Sequence, residues 1–151
     1  MQAEDQLASF IARFTPEIVA CADEVLDRLR ARMPSAVQLV YDNYNALVIG
    51  FGPNERASDA IFSIAIYPRW INLFFLQAVR QRLEDPDLRL RGDGTTVRHI
   101  RIDDPATLDE DAVLALIEQS LAKARVPLPT GTKGRLVIRA IAAKQRSRRP
   151  R

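Results

Sequence analysis

The residues with the most chemical content lie in one loop and the strand after it, Gly92-Asp93-Gly94-Thr95-Thr96-Val97-Arg98-His99-Ile100-Arg101. Glycines let backbone N–H groups turn toward an anion. Arg98 and Arg101 carry planar forks that match a carboxylate or a phosphate. His99, the only histidine, changes charge near neutral pH. The same string also reads as a surface hairpin whose arginines pair with Asp87, Asp103 or Asp104, because a G-x-G alone is a weak signal. In a regular strand Arg98 and His99 point to opposite faces, so only a bulge would put both on one surface.

A second constellation sets Tyr41, Tyr44 and Asn45 beside Tyr67, Arg69 and Trp70. Aromatics next to amides and a cation suit the rim of a ligand pocket. They suit equally an aromatic hairpin end that stacks for stability. Together the two constellations nominate Tyr44, Asn45, Tyr67, Arg69, Trp70, Arg98 and His99 as ligand-binding residues. No catalytic set emerges. Cys21 sits mid-helix beside an apolar stripe, any Ser-His pair would have to use His99, and no nucleophile elbow occurs. The acid pairs at Asp103-Asp104 and Asp109-Glu110-Asp111 fall at a helix start, where negative charge stabilises free N–H groups.

Charge is divided unevenly. Residues 126–151 hold eight basic residues and no acid, while residues 1–125 hold 14 basic and 19 acidic residues, a net of −5. The basic stretch could bind nucleic-acid phosphates in a salt-sensitive, sequence-independent way. It lacks the aromatics that would stack on bases, so a solubilising tail or an arm folding back on the acidic body explains it as well. A single cysteine excludes an internal disulfide, and with one histidine it excludes the usual zinc sets. The opening MQAEDQLASFIARFT has two acids and no basic leader, and Ile61–Leu76 is broken by Pro68-Arg69. A cytosolic protein without a membrane span is therefore expected.

These residues need elements to hold them. At 151 residues, 47% hydrophobic, the chain suffices for one core. Leu7, Phe10, Ile11 and Phe14 repeat at helical spacing, and Thr15-Pro16-Glu17 restarts the helix, which Pro34 stops. Alternation over Val37–Tyr41 and Leu47–Phe51 predicts a hairpin with Asp42–Asn45 as its connection. Asp59–Tyr67 and Trp70–Leu76 read as central strands, Gln77–Glu84 as a short helix and Val97–Ile102 as a strand. Thr107-Leu108-Asp109-Glu110 fits a capping box ahead of the stripe Val113, Leu116, Ile117 and Leu121. The class predicted is α+β: an antiparallel sheet of about five strands, with an N-terminal helix pair and a C-terminal helix on one face. Residues 1–125 form that domain. Residues 126–151 form a Pro/Gly linker and basic arm in which Arg135–Ile141 could add an edge strand, and Lys144–Arg151 should be mobile.

Three stretches bear a likeness to known sequences: Met33-Pro34 through Tyr41 to Phe51; Asp85-Pro86-Asp87 with Gly92-Asp93-Gly94 and Val97–Ile102; and Gly134 through Lys144-Gln145-Arg146 to Arg149-Pro150. Over residues 16–149 the chain resembles the YdhG-like domains of unknown function, family number 1801 of such domains. The resemblance implies a compact α+β domain. Some relatives are described as frataxin-like iron chaperones, and most have no assigned activity. An iron role needs exposed acids; Asp23 and Asp27, one helical turn apart, could share a cation, but the acids of that subgroup have no matching positions here. The expected function is non-catalytic binding of a metal ion or a small anionic ligand. The alternative is an interaction or nucleic-acid accessory role for the basic tail, and an enzyme using Arg98 and His99 has least behind it.

Overall fold

The structure, a computed structural model, describes residues 2–150. Helix α1 (Ala3–Ile11) leads into α2 (Pro16–Arg32) through Thr15, whose extended backbone and hydroxyl cap the second helix: Oγ1 accepts the Ile18 N–H at 3.5 Å. Pro16 fits the first helical position because it has no N–H to leave unpaired. Ala22, Val25, Leu26 and Leu29 form the buried stripe of α2, and Asp23, Glu24 and Asp27 face out.

Strands β1 (Val37–Asp42), β2 (Leu47–Gly52), β3 (Phe62–Ile66) and β4 (Ile71–Phe75) follow, then the short helix α3 (Ala78–Gln81), strand β5 (Arg98–Ile102), helix α4 (Asp111–Ala122) and strand β6 (Leu136–Ile141). The fold is α+β, with one six-stranded sheet ordered β5-β4-β3-β2-β1-β6. Successive strands β1 to β5 pair antiparallel, whereas β6 lies parallel to β1. The sheet is therefore mixed and six-stranded, rather than antiparallel with about five. The chain returns from α4 to the end of the sheet where β1 begins: the Gly134 N–H donates to the Pro34 carbonyl at 2.8 Å, so β6 must run in the same direction as β1.

Register sorts the strand residues into rungs across the sheet. One set of rungs runs Val40, Ile49, Ile64, Leu73, Ile100 and Asp42, Leu47, Ile66, Ile71, Ile102. Its apolar members share a single buried cluster with Leu7, Ile11, Ala22, Val25, Leu26 and Leu29 of the N-terminal helices and Val113, Leu116 and Ile117 of α4. The alternate set runs Val137, Leu39, Gly50, Ser63, Phe74, His99 and Ala140, Tyr41, Val48, Ala65, Asn72, Arg101. Leu39 and Ala65 are buried but lie outside that cluster.

Two local expectations are corrected. The capping box at Thr107–Glu110 does not form. Pro105–Asp109 is a 3-10 turn capped by Asp104, whose carboxylate accepts the Ala106 N–H at 2.9 Å, and α4 starts only at Asp111. Asp109 and Glu110 are drawn instead to Arg28 (3.1 Å) and Arg89 (2.6 Å) on other elements. In place of a mobile stretch over Lys144–Arg151, residues 144–150 fold back onto the β1–β2 turn (Arg151 lies outside the described residues). Arg148 is 3% exposed and pairs with Asp42 at 2.8 Å. Asp42 sits on the core-facing rung, where an ionised carboxylate must have a partner. Among the described residues, no helix is long and apolar enough to cross a membrane.

Candidate functional site

The seven nominated residues divide among three places. Tyr67 and Trp70 flank the β3–β4 turn, and pairing continues there, with the Tyr67 N–H donating to the Trp70 carbonyl at 2.9 Å. Alternation places Tyr67 on the face of Ala65, and Trp70 on that of Asn72. Their rings stack, with centroids 5.2 Å apart and planes 29° apart. The guanidinium of Arg101, not of Arg98, lies 5.5 Å from the centroid of the Trp70 ring. Tyr67, Trp70 and Arg101 thus make a three-membered stack at one end of the sheet, with Asn72 beside Arg101 on its rung; Tyr41 lies on the same rung but on β1, four strands from Arg101. Arg69 is exposed on the turn itself.

His99 lies two residues before Arg101 on the same face, nearer the other end of the sheet, with its ring 5.4 Å from that of Phe74. Arg98 stands opposite Phe75 on the core-facing register, with no bulge to bring it beside His99. Its Nη1 donates to the carbonyls of Gly94 (2.6 Å) and Val97 (2.8 Å), which ties the glycine loop to the strand. Arg98 is thereby used in holding the loop. Tyr44 and Asn45 occupy the β1–β2 turn, and Tyr44 meets the folded-back arm, with the Arg146 guanidinium 5.4 Å from its ring centroid.

The stacked face has a plain electrostatic character. Neither of its two full rungs contains an Asp or Glu, although residues 1–125 are net acidic. Its middle is small (Gly50, Ser63, Ala65), and its polar groups are Tyr41, Ser63, Asn72, His99 and Arg101. Arg101 gives only its Nε to Asp103, at 2.8 Å. An exposed pair of this kind contributes little and is readily exchanged for another anion.

Other chemistry-bearing residues are placed differently. The Cys21 thiol is half-buried, and its pKa is raised by burial and then by Asp104, Glu24 and Asp103, which keeps it protonated and unreactive near neutral pH. The Asp59 carboxyl is held below its usual range by the Asn54 amide (3.1 Å) and by Arg125, and serves to anchor the β2–β3 loop to the chain after α4. Asp23 and Asp27 border a hollow of ≈ 100 Å³ that also holds Glu4 and Arg30. Arg30 supplies the local positive charge there, 3.3 Å from Glu4. Among the described residues, no group of three or more His, Cys, Asp or Glu side chains could hold a metal ion.

The sequence offers both Arg98 and Arg101, and the glycine loop ahead of Arg98 makes it the stronger candidate there. Parity would have separated them, because Arg101 shares a face with His99, whereas Arg98 does not. The Trp70–Arg101 contact and the place of Asn72 beside it depend on the β4–β5 register, which no local pattern encodes. No family model, curated protein or solved structure matches the chain.

Proposed function

We propose that the protein is a non-catalytic binding domain, of the YdhG-like kind its sequence resembles, that takes a small organic anion on the sheet face carrying Tyr67, Trp70 and Arg101. The observation that supports this is the aromatic-cation stack on a face whose two full rungs hold no acid, in a chain whose first 125 residues are net acidic. The helices share their core with the opposite rungs; on this face the middle (Leu39, Gly50, Ser63, Ala65) is buried, while Trp70 and Asn72 are partly exposed and Arg101 is exposed. The free end of the Arg101 guanidinium offers a fork to a carboxylate, the edges of the stacked Tyr67 and Trp70 rings offer apolar surface to the rest of the ligand, and Asn72 supplies an amide alongside. Among the described residues no three His, Cys, Asp or Glu side chains converge, which favours an anion over a metal ion as the ligand.

Thermal unfolding against a panel of aromatic carboxylates, aliphatic carboxylates and divalent ions tests this, because a ligand of the native state must raise stability. An aromatic carboxylate is expected to raise the Tm of the protein and to leave that of Arg101→Gln unmoved. Equal shifts in both proteins, or stabilisation by divalent ions alone, would overturn the reading.

A further inference from the structure

The C-terminal arm carries a cluster of charge that the sheet-face site does not use. Six of its basic residues fall into two groups. Arg135 and Arg139 reach Glu55 (2.8 and 3.9 Å), and Arg148 is buried against Asp42. Lys144, Arg146 and Arg149 line one hollow of ≈ 390 Å³ together with Tyr44, Gln145 and Ser147. Among the described residues, these three cations have no carboxylate partner and no acid lines that hollow.

The hollow is held in shape from beneath. Arg148 Nη2 donates to the Asp42 carboxylate (2.8 Å) and the Asn43 carbonyl (2.6 Å), and its Nη1 donates to the Tyr44 carbonyl (3.4 Å). The Gln145 amide donates to the carbonyls of Asp42 (3.0 Å) and Ala142 (3.2 Å) and accepts from Arg13 (2.7 Å). The Arg146 N–H donates to the Tyr44 carbonyl at 2.9 Å. The cationic heads are left over from this framework. Arg146 lies on the Tyr44 ring, which fixes its plane without occupying its N–H groups. Arg149 gives only its Nε, to the Arg13 carbonyl at 3.2 Å. Three like charges held around one hollow repel one another, and a dianion that enters relieves the repulsion.

We propose that this hollow is a second, separate anion site and that it takes a phosphate monoester. Three cations and the Tyr44 hydroxyl match the three acceptor oxygens and the roughly −1.5 to −2 charge of such a group better than they match a carboxylate, while the Ser147 hydroxyl is engaged with the Arg149 backbone (3.0 Å to its carbonyl) and holds the segment in place. A free phosphorylated metabolite and a terminally phosphorylated nucleic acid carry this same group.

Isothermal titration calorimetry of the full chain tests it with three probes: inorganic phosphate, uridine 5′-monophosphate, and a single-stranded oligonucleotide without a terminal phosphate. Inorganic phosphate and the mononucleotide are expected to bind at one site. The exposed double substitution Lys144→Gln with Arg146→Gln should weaken them by about tenfold or more. Trp70 fluorescence should stay unchanged throughout, which separates this site from the sheet face. No binding of either phosphate probe, undiminished binding to the double variant, or tighter binding of the oligonucleotide than of the mononucleotide would overturn the proposal.

Discussion

Arg148 and Asp42 show how a single residue decides the fate of a segment. Both side chains are almost fully enclosed, at 1% and 2% exposed. The guanidinium also lies 5.8 Å from the Phe14 ring centroid, and its Nε has no partner among the described residues. Removing Arg148 leaves the buried Asp42 carboxylate with only a longer contact to the half-exposed Arg13 (3.5 Å), and loss of a buried partner typically costs about 3–5 kcal/mol. Arg148→Met is therefore expected to lower unfolding stability by about that amount. Adding Asp42→Asn should restore part of the loss, since it removes the stranded charge. Denaturant unfolding of the two single variants and the double variant checks this. A loss below about 1 kcal/mol, of the size seen for exposed pairs, would mean that the arm does not depend on the latch. From the sequence, Arg148 is one basic residue in a run of them. What singles it out is the carboxylate at Asp42, 106 positions away.

Strand β6 makes the same point at the scale of an element. It docks only because position 134 has no side chain: a Cβ there would stand 2.0 Å from the Ala36 carbonyl oxygen. Gly134→Ala forces β1 and β6 apart at their entry, and overpacking of this kind costs about 1–3 kcal/mol. We expect a fall in stability of that order, with amide exchange accelerated across β6 and the outer edge of β1. Unchanged exchange in β6 would contradict the close approach. Elements whose identity is local were readable in the sequence. The Thr15-Pro16 start of α2, the Val37–Phe51 hairpin and the stripe of α4 follow from capping, alternation and period. The start of α4 was misplaced because Pro105 nucleates a 3-10 turn and the acids after it answer to Arg28 and Arg89. The parallel pairing of β6 depends on where the chain returns after α4, and no window of residues records that.

In the whole molecule, acid and base are arranged rather than mixed. Part of the basic arm neutralises Asp42 and Glu55 in the net-acidic body, and Lys144, Arg146 and Arg149 are gathered beside Tyr44. Toward the helices the sheet is apolar except at Gln38, Asp42 and Arg98, and it is free of acid on the two full rungs of its other face. The candidate site was half visible in the sequence. Tyr67 and Trp70 stood out by type, and the turn between them brings their rings together. The cation that joins them comes from a strand some thirty residues on, and Arg98 was preferred because the glycine loop before it looked like an anion cradle, whereas Arg98 is spent on that loop's own carbonyls. Trp70 is the only tryptophan, so its emission reports on this face alone. The most direct measurement is a fluorescence titration of the protein with an aromatic carboxylate. Saturable quenching, weakened by about tenfold or more in Arg101→Gln, is the outcome that fits a shared aromatic and cationic contact. Emission that does not respond, or that responds equally in the variant, would contradict it.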